Sequence, residues 1–215
     1  MKVIDLTHTI KEGMPVFPGT ESPELLPSNN YEKDGFKETL LKMTTHTGTH
    51  MDPPAHLYEN GLTLDQLPPD QYIGKALVID CSMLKAGEAI GIQVLKPYGK
   101  KVEQADFLLF HLGWDRYWGM PEYYGDYPCL DDEMIKLILK GSYKGIGFDV
   151  IGLDPVEDAE LVRHHRLFAD NQPIVNIENL KNLGQCGDDL FWFSCFPLKI
   201  ENSDGAPIRA VAWFE

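Results

Sequence analysis

Apolar positions along this chain come in short, separate runs. The stretch Lys2–Ile10 reads as a strand, after which Pro15, Pro18, Gly19, Pro23 and Pro27 break regular structure as far as about Asn30. Phe36–Thr45 alternates well enough for a second strand. Lys75–Cys81, Asp106–Leu112, Gly145–Val150 and Pro173–Asn179 are apolar runs of strand length, and Phe191–Ile200 and Pro207–Glu215 close the chain as two more. Helical spacing is rarer. Asp131–Lys140 places Met134, Ile135, Ile138 and Leu139 in one stripe, with acids at its start and Gly141 as its stop. Gly91–Pro97 holds a further helical stretch. Asp154-Pro155-Val156-Glu157 reads as an N-cap, a first-turn proline and an N3 acid, which predicts a helix from Asp154 to about Asp170. Its apolar stripe is Leu161, Phe168 and Ala169. His165 falls inside that stripe, four residues after Leu161, and His164 is turned toward the polar side.

These elements predict an α/β protein in which strands outnumber helices. At 215 residues, without repeats, low-complexity tracts or a linker, residues 1–215 are expected to form a single domain. A formal charge of −14 disfavours nucleic acid or an anionic membrane as partner. Cys81, Cys129, Cys186 and Cys195 are widely spaced with no C-x-x-C pair, so reduced thiols are the simpler expectation. No apolar run reaches membrane-spanning length, and the chain enters Val-Ile-Asp-Leu with no signal-peptide pattern, which points to the cytoplasm. The aromatic-rich segment Trp114–Tyr127 fits a pocket wall, a subunit contact or ordinary packing, and composition does not choose among them.

The chemistry gathers in Thr45–His56, where His46, His50, Asp52 and His56 fall within eleven residues. Imidazole and carboxylate are the ligands a borderline divalent metal prefers. A helix would place His46 and His50 on one face, but Pro53 and Pro54 push the residues before them out of the α region. A straight strand would set the two histidines ~13 Å apart, too far for one ion. The expectation is therefore a curved loop, with Gly48 allowing the bend. The plainer alternative is a polar loop whose histidines bond one another and the backbone.

His46-Thr47-Gly48-Thr49-His50-Met51-Asp52-Pro53-Pro54-Ala55-His56 resembles the HxGTHxDxPxH motif of the cyclase family, which includes bacterial kynurenine formamidases and isatin hydrolases. Val3–Thr7 with Gly13–Gly19 resembles the family's opening, and Pro197–Ile200 with Asp204–Ala210 its close, so the likeness spans nearly the whole chain. His111-Leu112-Gly113-Trp114 departs from it, since Thr-Gly-Trp is commoner there. The resemblance implies a single α/β domain with a mixed β core and flanking helices, of the swivelling β/β/α type, assembled as a homodimer or tetramer. It also implies a second ligand cluster, matched here by His165 and Glu178, with His164 competing because the spacing is one residue longer than expected.

The implied metal set is His46, His50, Asp52, His165 and Glu178. It contains no cysteine, unlike most structural zinc sites. A bridging Asp52 would let two Zn²⁺ ions, or Mn²⁺ in their place, sit ~3.5–4 Å apart and lower the pKa of a shared water to ~7. No G-x-S-x-G elbow offers a serine instead. His56, left off the metal because Pro53 and Pro54 are expected to hold the chain extended, is the expected proton carrier to the leaving amine. The function implied is metal-dependent hydrolysis of a small amide or formamide. N-formylkynurenine is the first substrate, and a cyclic amide such as isatin the second. A glutamine is expected at the Glu178 position in isatin hydrolases, which favours the formamidase branch. Two readings from other classes stay open: a 2-His-1-carboxylate iron oxygenase and a non-catalytic metal binder.

Overall fold

The computed structural model describes residues 1–214. In chain order the strands are β1 (Lys2–Asp5), β2 (Glu24–Asn29), β3 (Glu38–Lys42), β4 (His50–Asp52), β5 (Ile73–Asp80), β6 (Ala89–Ile90), β7 (Phe107–His111), β8 (Cys129–Leu130), β9 (Gly145–Phe148), β10 (Val175–Glu178), β11 (Phe191–Pro197) and β12 (Ala206–Phe214). Eight of them form one mixed sheet in the order β1-β12-β11-β5-β7-β9-β10-β4. Because β4 also pairs with β12, the sheet closes on itself into a barrel, and β1 lies outside along β12. The run β5-β7-β9-β10 is parallel, and the remaining pairings are antiparallel.

β5, β7 and β9 carry apolar residues at most positions because both their faces are covered. Ala76, Val78, Phe107 and Leu109 point into the barrel with Met51, Ile177 and Phe193. Leu77, Ile79, Leu108, Phe110, Ile146 and Phe148 point outward, beneath Met134, Ile135 and Ile138 of the helix Asp132–Lys140. Burying a side chain of this size contributes roughly 1.5–3 kcal/mol, which makes this double-sided core the main support of the fold. The side chain of Asp131 caps that helix by accepting from the Met134 amide at 2.8 Å.

The structure corrects several expectations. The proline-rich stretch before Asn30 contains β2, which pairs with β3 in a separate two-stranded hairpin. The register shifts between Pro27 and Asn29, an irregularity at which a residue without an N–H is tolerated. β3 is shorter than the expected Phe36–Thr45, and all five of its residues are exposed. The stretch Gly91–Pro97 forms a 3-10 helix, Ile92–Tyr98.

A further correction moves a functional residue. The helix expected to open at Asp154 begins at Val162 and runs to Phe168. Asp154 caps it nonetheless: one carboxylate oxygen accepts from the Arg163 amide at 2.7 Å and the other from the His164 amide at 3.0 Å. The cap thus reaches in from a preceding turn instead of adjoining the helix. Leu161, just before the first turn, lies in the left-handed region at φ 48, so it is no part of the helical stripe. The buried face is His164, Leu167 and Phe168. No helix among the described residues is long and apolar enough to cross a membrane.

Candidate metal centre

β4 and β10 run antiparallel, with His50 opposite Glu178 and Asp52 opposite Asn176. The period of two in each strand turns Met51 and Ile177 into the barrel core and the four polar side chains to the other face. Cross-strand pairing alone therefore brings two carboxylates, an imidazole and an amide together, all buried.

The rest of the histidine motif folds back over this face. The chain bends at Gly48, whose φ is +68, so the bend sits there while His50–Asp52 is regular strand. His46 returns to within 2.8 Å of Asp52, Nδ1 to Oδ1. Its ring lies against Gly205, where a Cβ would stand 2.5 Å from His46 Cε1. His50 Nε2 is 3.3 Å from the same Asp52 oxygen and 3.5 Å from Glu178 Oε2.

The fifth side chain to reach this face is His164. Its Nε2 lies 3.3 Å from Glu178 Oε1 and 3.6 Å from Asp52 Oδ2. His165, the residue expected in this role, is exposed and pairs with the Tyr58 hydroxyl at 3.2 Å. The cause is the later helix start: counting the stripe from Leu161 put His165 on the buried face, whereas the true buried face carries His164. The donors form two overlapping triads, His46–His50–Asp52 and Asp52–His164–Glu178, with Asp52 common to both.

Each of the three histidines has its far nitrogen held by an acceptor. His50 Nδ1 donates to the Gly48 carbonyl at 2.8 Å, His164 Nδ1 to Asp154 at 2.7 Å, and His46 Nε2 faces Asp204 at 3.3 Å. This arrangement fixes the tautomer and aims the other nitrogen inward, as histidine ligands of metals require. The charge balance agrees. Burial alone would push the Asp52 carboxyl up, but His50, His164 and His46 hold it well below the usual carboxylate range. Burial alone would likewise lower the histidines. For His46 the Asp204 and Asp52 carboxylates outweigh it and push the pKa up to about 10. Asp52 raises His50, and Asp154, with Asp52 and Glu178, raises His164. Protons here stand in for cation charge, and a divalent ion would displace them.

His56 does not stand away from the cluster on an extended chain. Pro54–His56 is a 3-10 turn, in which proline is tolerated at the first position, and it brings the His56 ring within 4.1 Å of the His46 ring. It also lies 5.8 Å from the His164 ring. Burial lowers its pKa, so its imidazole is neutral at pH 7.

Asp154, Asp204 and Asn176 take part in the centre without having been expected there. Asp204 lies in the motif that closes the chain, and Asp154 reads in the sequence as a helix cap alone. For Asn176 the available signal was its period-two relation to Glu178. The Asn176 amide nitrogen donates to Asp52 Oδ2 at 3.0 Å and to Glu178 Oε1 at 2.8 Å, while its buried Oδ1 has no partner.

The centre opens into a cavity of about 250 Å³ with an apolar wall of Pro15, Val16, Phe17, Ile151 and Leu161. The aromatic segment is not part of that wall: Trp114, Tyr123 and Tyr127 are buried in the outer core. His8 lies off the cluster, stacked on Trp118 with 3.8 Å between ring centroids.

Residues 4–155 match the Cyclase family. The chain is 30% identical to kynurenine formamidase of Bacillus cereus over 209 residues, covering 97% of this chain and 95% of the relative. It is 31% identical to kynurenine formamidase of Bacillus anthracis over 212 residues, 98% and 96% of the two chains. Among solved structures, isatin hydrolase A from Labrenzia aggregata shares the fold with a TM-score of 0.86 at 22% identity, over 98% and 93% of the chains. A predicted metal-dependent hydrolase from Bacillus stearothermophilus does so with a TM-score of 0.75 at 23% identity, over 98% and 97%. Fold, donor set and relatives together define a metal-dependent amidohydrolase. The chain belongs to the Cyclase family.

Proposed function

We propose that this enzyme hydrolyses the C–N bond of a small aryl formamide, with N-formylkynurenine as the first substrate and kynurenine and formate as products. Two divalent ions, Zn²⁺ or Mn²⁺, would be held by His46, His50, Asp52, His164 and Glu178. The observation that carries this reading is the division of Asp52, whose Oδ1 belongs to one triad and Oδ2 to the other. The relatives named kynurenine formamidase support the substrate class. When bound, such ions acidify water and polarise the scissile carbonyl.

The chain's own residues do the rest. The apolar wall of the cavity packs an aromatic ring against the donor face and excludes bulk water. His56, neutral and beside His46, takes a proton from the attacking water and passes it to the leaving nitrogen, so the amine departs uncharged. A three-ligand oxygenase reading leaves two of the five converging donors without a role. Two further features support the wider expectations. The hairpin of β2 and β3 would be marginal as an isolated pair, which fits a homodimer or tetramer that covers it. Four buried, unpaired cysteines fit the reducing cytoplasm.

The test is turnover of formanilides, N-formylkynurenine and isatin by chain reconstituted with Zn²⁺ or Mn²⁺ in anaerobic buffer. Formamide cleavage without oxygen is the expected result. Turnover of isatin alone would move the enzyme to the cyclic-amide branch, and no hydrolysis of any of them would overturn the reading.

A further inference from the structure

Asn176 is the one buried amide inside the donor cluster, and its position is unusual for a supporting residue. Its terminal nitrogen stands 3.0 Å from Asp52 Oδ2, 2.8 Å from Glu178 Oε1 and 3.3 Å from His164 Nε2. Those three atoms are the donors of the second triad, so the amide caps the triangle they form. Its two hydrogens are both spent on the carboxylates. His164 Nδ1 is committed to Asp154, so Nε2 is the ring atom that faces the same spot. The other end of the amide is unmatched: Oδ1 is buried and bonds to nothing among the described residues. Buried acceptors almost always find a partner, and an orphan beside a cluster of ligands asks for one.

From this geometry we infer that Asn176 is a fourth protein ligand to the ion held by Asp52, His164 and Glu178, binding through its amide oxygen, and that it biases this locus toward a hard ion such as Mn²⁺ over Zn²⁺. Rotation of the side chain's last torsion exchanges its nitrogen and oxygen without moving the strand. In the structure the amide hydrogens point at the two facing carboxylates. With a cation between those carboxylates, hydrogens pointing at it would be repelled, and the oxygen becomes the matched atom. Either end of the amide can face the carboxylates because it offers a donor and an acceptor at the same reach. The resulting set is three oxygens and one nitrogen, against one oxygen and two nitrogens in the His46–His50–Asp52 triad. Carboxylate and carbonyl oxygens suit manganese, while imidazole-rich sets suit zinc. The two loci would therefore differ in preference within one centre.

The inference rests on the two-ion reading above, and metal content measured apart from activity separates the two. Full-length chain, stripped of metal and dialysed against equimolar Mn²⁺ and Zn²⁺, is analysed for both elements, and bound Mn²⁺ is followed by electron paramagnetic resonance. The parent should take up two ions per chain, with a higher manganese-to-zinc ratio than Asn176→Leu. Asn176→Leu, close in shape and without the amide, should keep the zinc and lose manganese preference by ~10-fold or more. Asn176→Asp, which keeps an oxygen at that reach, should retain manganese or bind it more tightly. Two ions in Asn176→Leu with the parental manganese-to-zinc ratio would overturn the inference and leave the two-ion reading standing. A parent that saturates at one ion would overturn both. Should Asn176→Leu fail to fold by circular dichroism, Asn176→Asp decides alone, since its manganese preference must not fall below the parental value.

Discussion

Asp154 holds His164 twice. One carboxylate oxygen accepts from the imidazole Nδ1 at 2.7 Å and from the His164 backbone amide at 3.0 Å. A single side chain thus fixes where the helix begins and which way its first histidine points. The two effects separate in variants. Asp154→Asn retains one carbonyl oxygen for the cap but sets its NH2 against the second backbone amide and loses the charge that orients the ring. It should bind the ion at the His164 locus ~10–100-fold more weakly and melt below the parent. Asp154→Ala loses the cap as well, at a further cost of ~0.5–2 kcal/mol. Chelator competition and thermal melts measure the two losses. Unchanged metal affinity in Asp154→Asn would show that the ring is held by packing alone.

The neighbouring histidines give a sharper contrast. His164 is buried among the donors, whereas His165 sits at the surface against Tyr58. His164→Ala should lose roughly one ion per chain and nearly all activity. His165→Ala should keep its metal and stay within ~0.5 kcal/mol of the parent, as surface substitutions do. Metal analysis of the two purified variants decides. The reverse pattern would mean that the helix turns differently around Asp154.

Why that residue was misplaced from sequence, while others were not, has a physical cause. The strands β5, β7 and β9 were legible because burial on both faces demands apolar runs, a local property. His46, His50, Asp52 and Glu178 stand out by motif likeness; cross-strand pairing brings His50, Asp52 and Glu178 together, and the bend at Gly48 returns His46 to them. The start of the helix at Val162 was not legible, because the cap comes from Asp154 across a turn and leaves no mark on the residues adjoining the helix. The closure of β4 onto β12 is likewise a pairing of distant segments with no local signature. Asp204 acts through His46, far from it in the chain, and Asn176 through Asp52, so the only local signal was the period-two relation of Asn176 to Glu178.

His8 sets an acid limit on stability independently of the metal centre. Burial, helped by the charge of Lys181, lowers its pKa from 6.5 to about 4. Its Nε2 has no partner, and the ring is stacked on Trp118. Between these two pH values the unfolded chain binds a proton that the folded chain refuses. Unfolding therefore takes up a proton, and stability is fully present above about 6.5 and falls as the pH drops toward 4. The effect is at most ~3 kcal/mol, since each tenfold loss of proton affinity on folding is worth ~1.36 kcal/mol. Denaturant unfolding of metal-free protein at several pH values should show the decline, and His8→Phe, which keeps an aromatic stack, should flatten it. An equal slope in the variant would assign the acid sensitivity elsewhere.

His56 is the remaining imidazole of the motif, and its place in the cluster gives it two competing fates. It lies beside His46 and within ligand reach of His46 and Asp204, so it could serve as a further donor. Against that, the turn Pro54–His56 holds it above the two triads instead of within them, and burial keeps its ring neutral at pH 7, ready to accept a proton. A positioned histidine that moves a proton typically contributes ~10²–10⁴-fold. His56→Ala should therefore keep its full metal content and its melting temperature while kcat falls by about that factor. The loss should shrink for substrates whose leaving amine carries electron-withdrawing groups, because such an amine needs less help from an acid. A series of ring-substituted formanilides measures that dependence directly. If His56→Ala loses metal, the residue is a ligand. If kcat falls equally for every leaving group, His56 orients the substrate and the proton travels by another route.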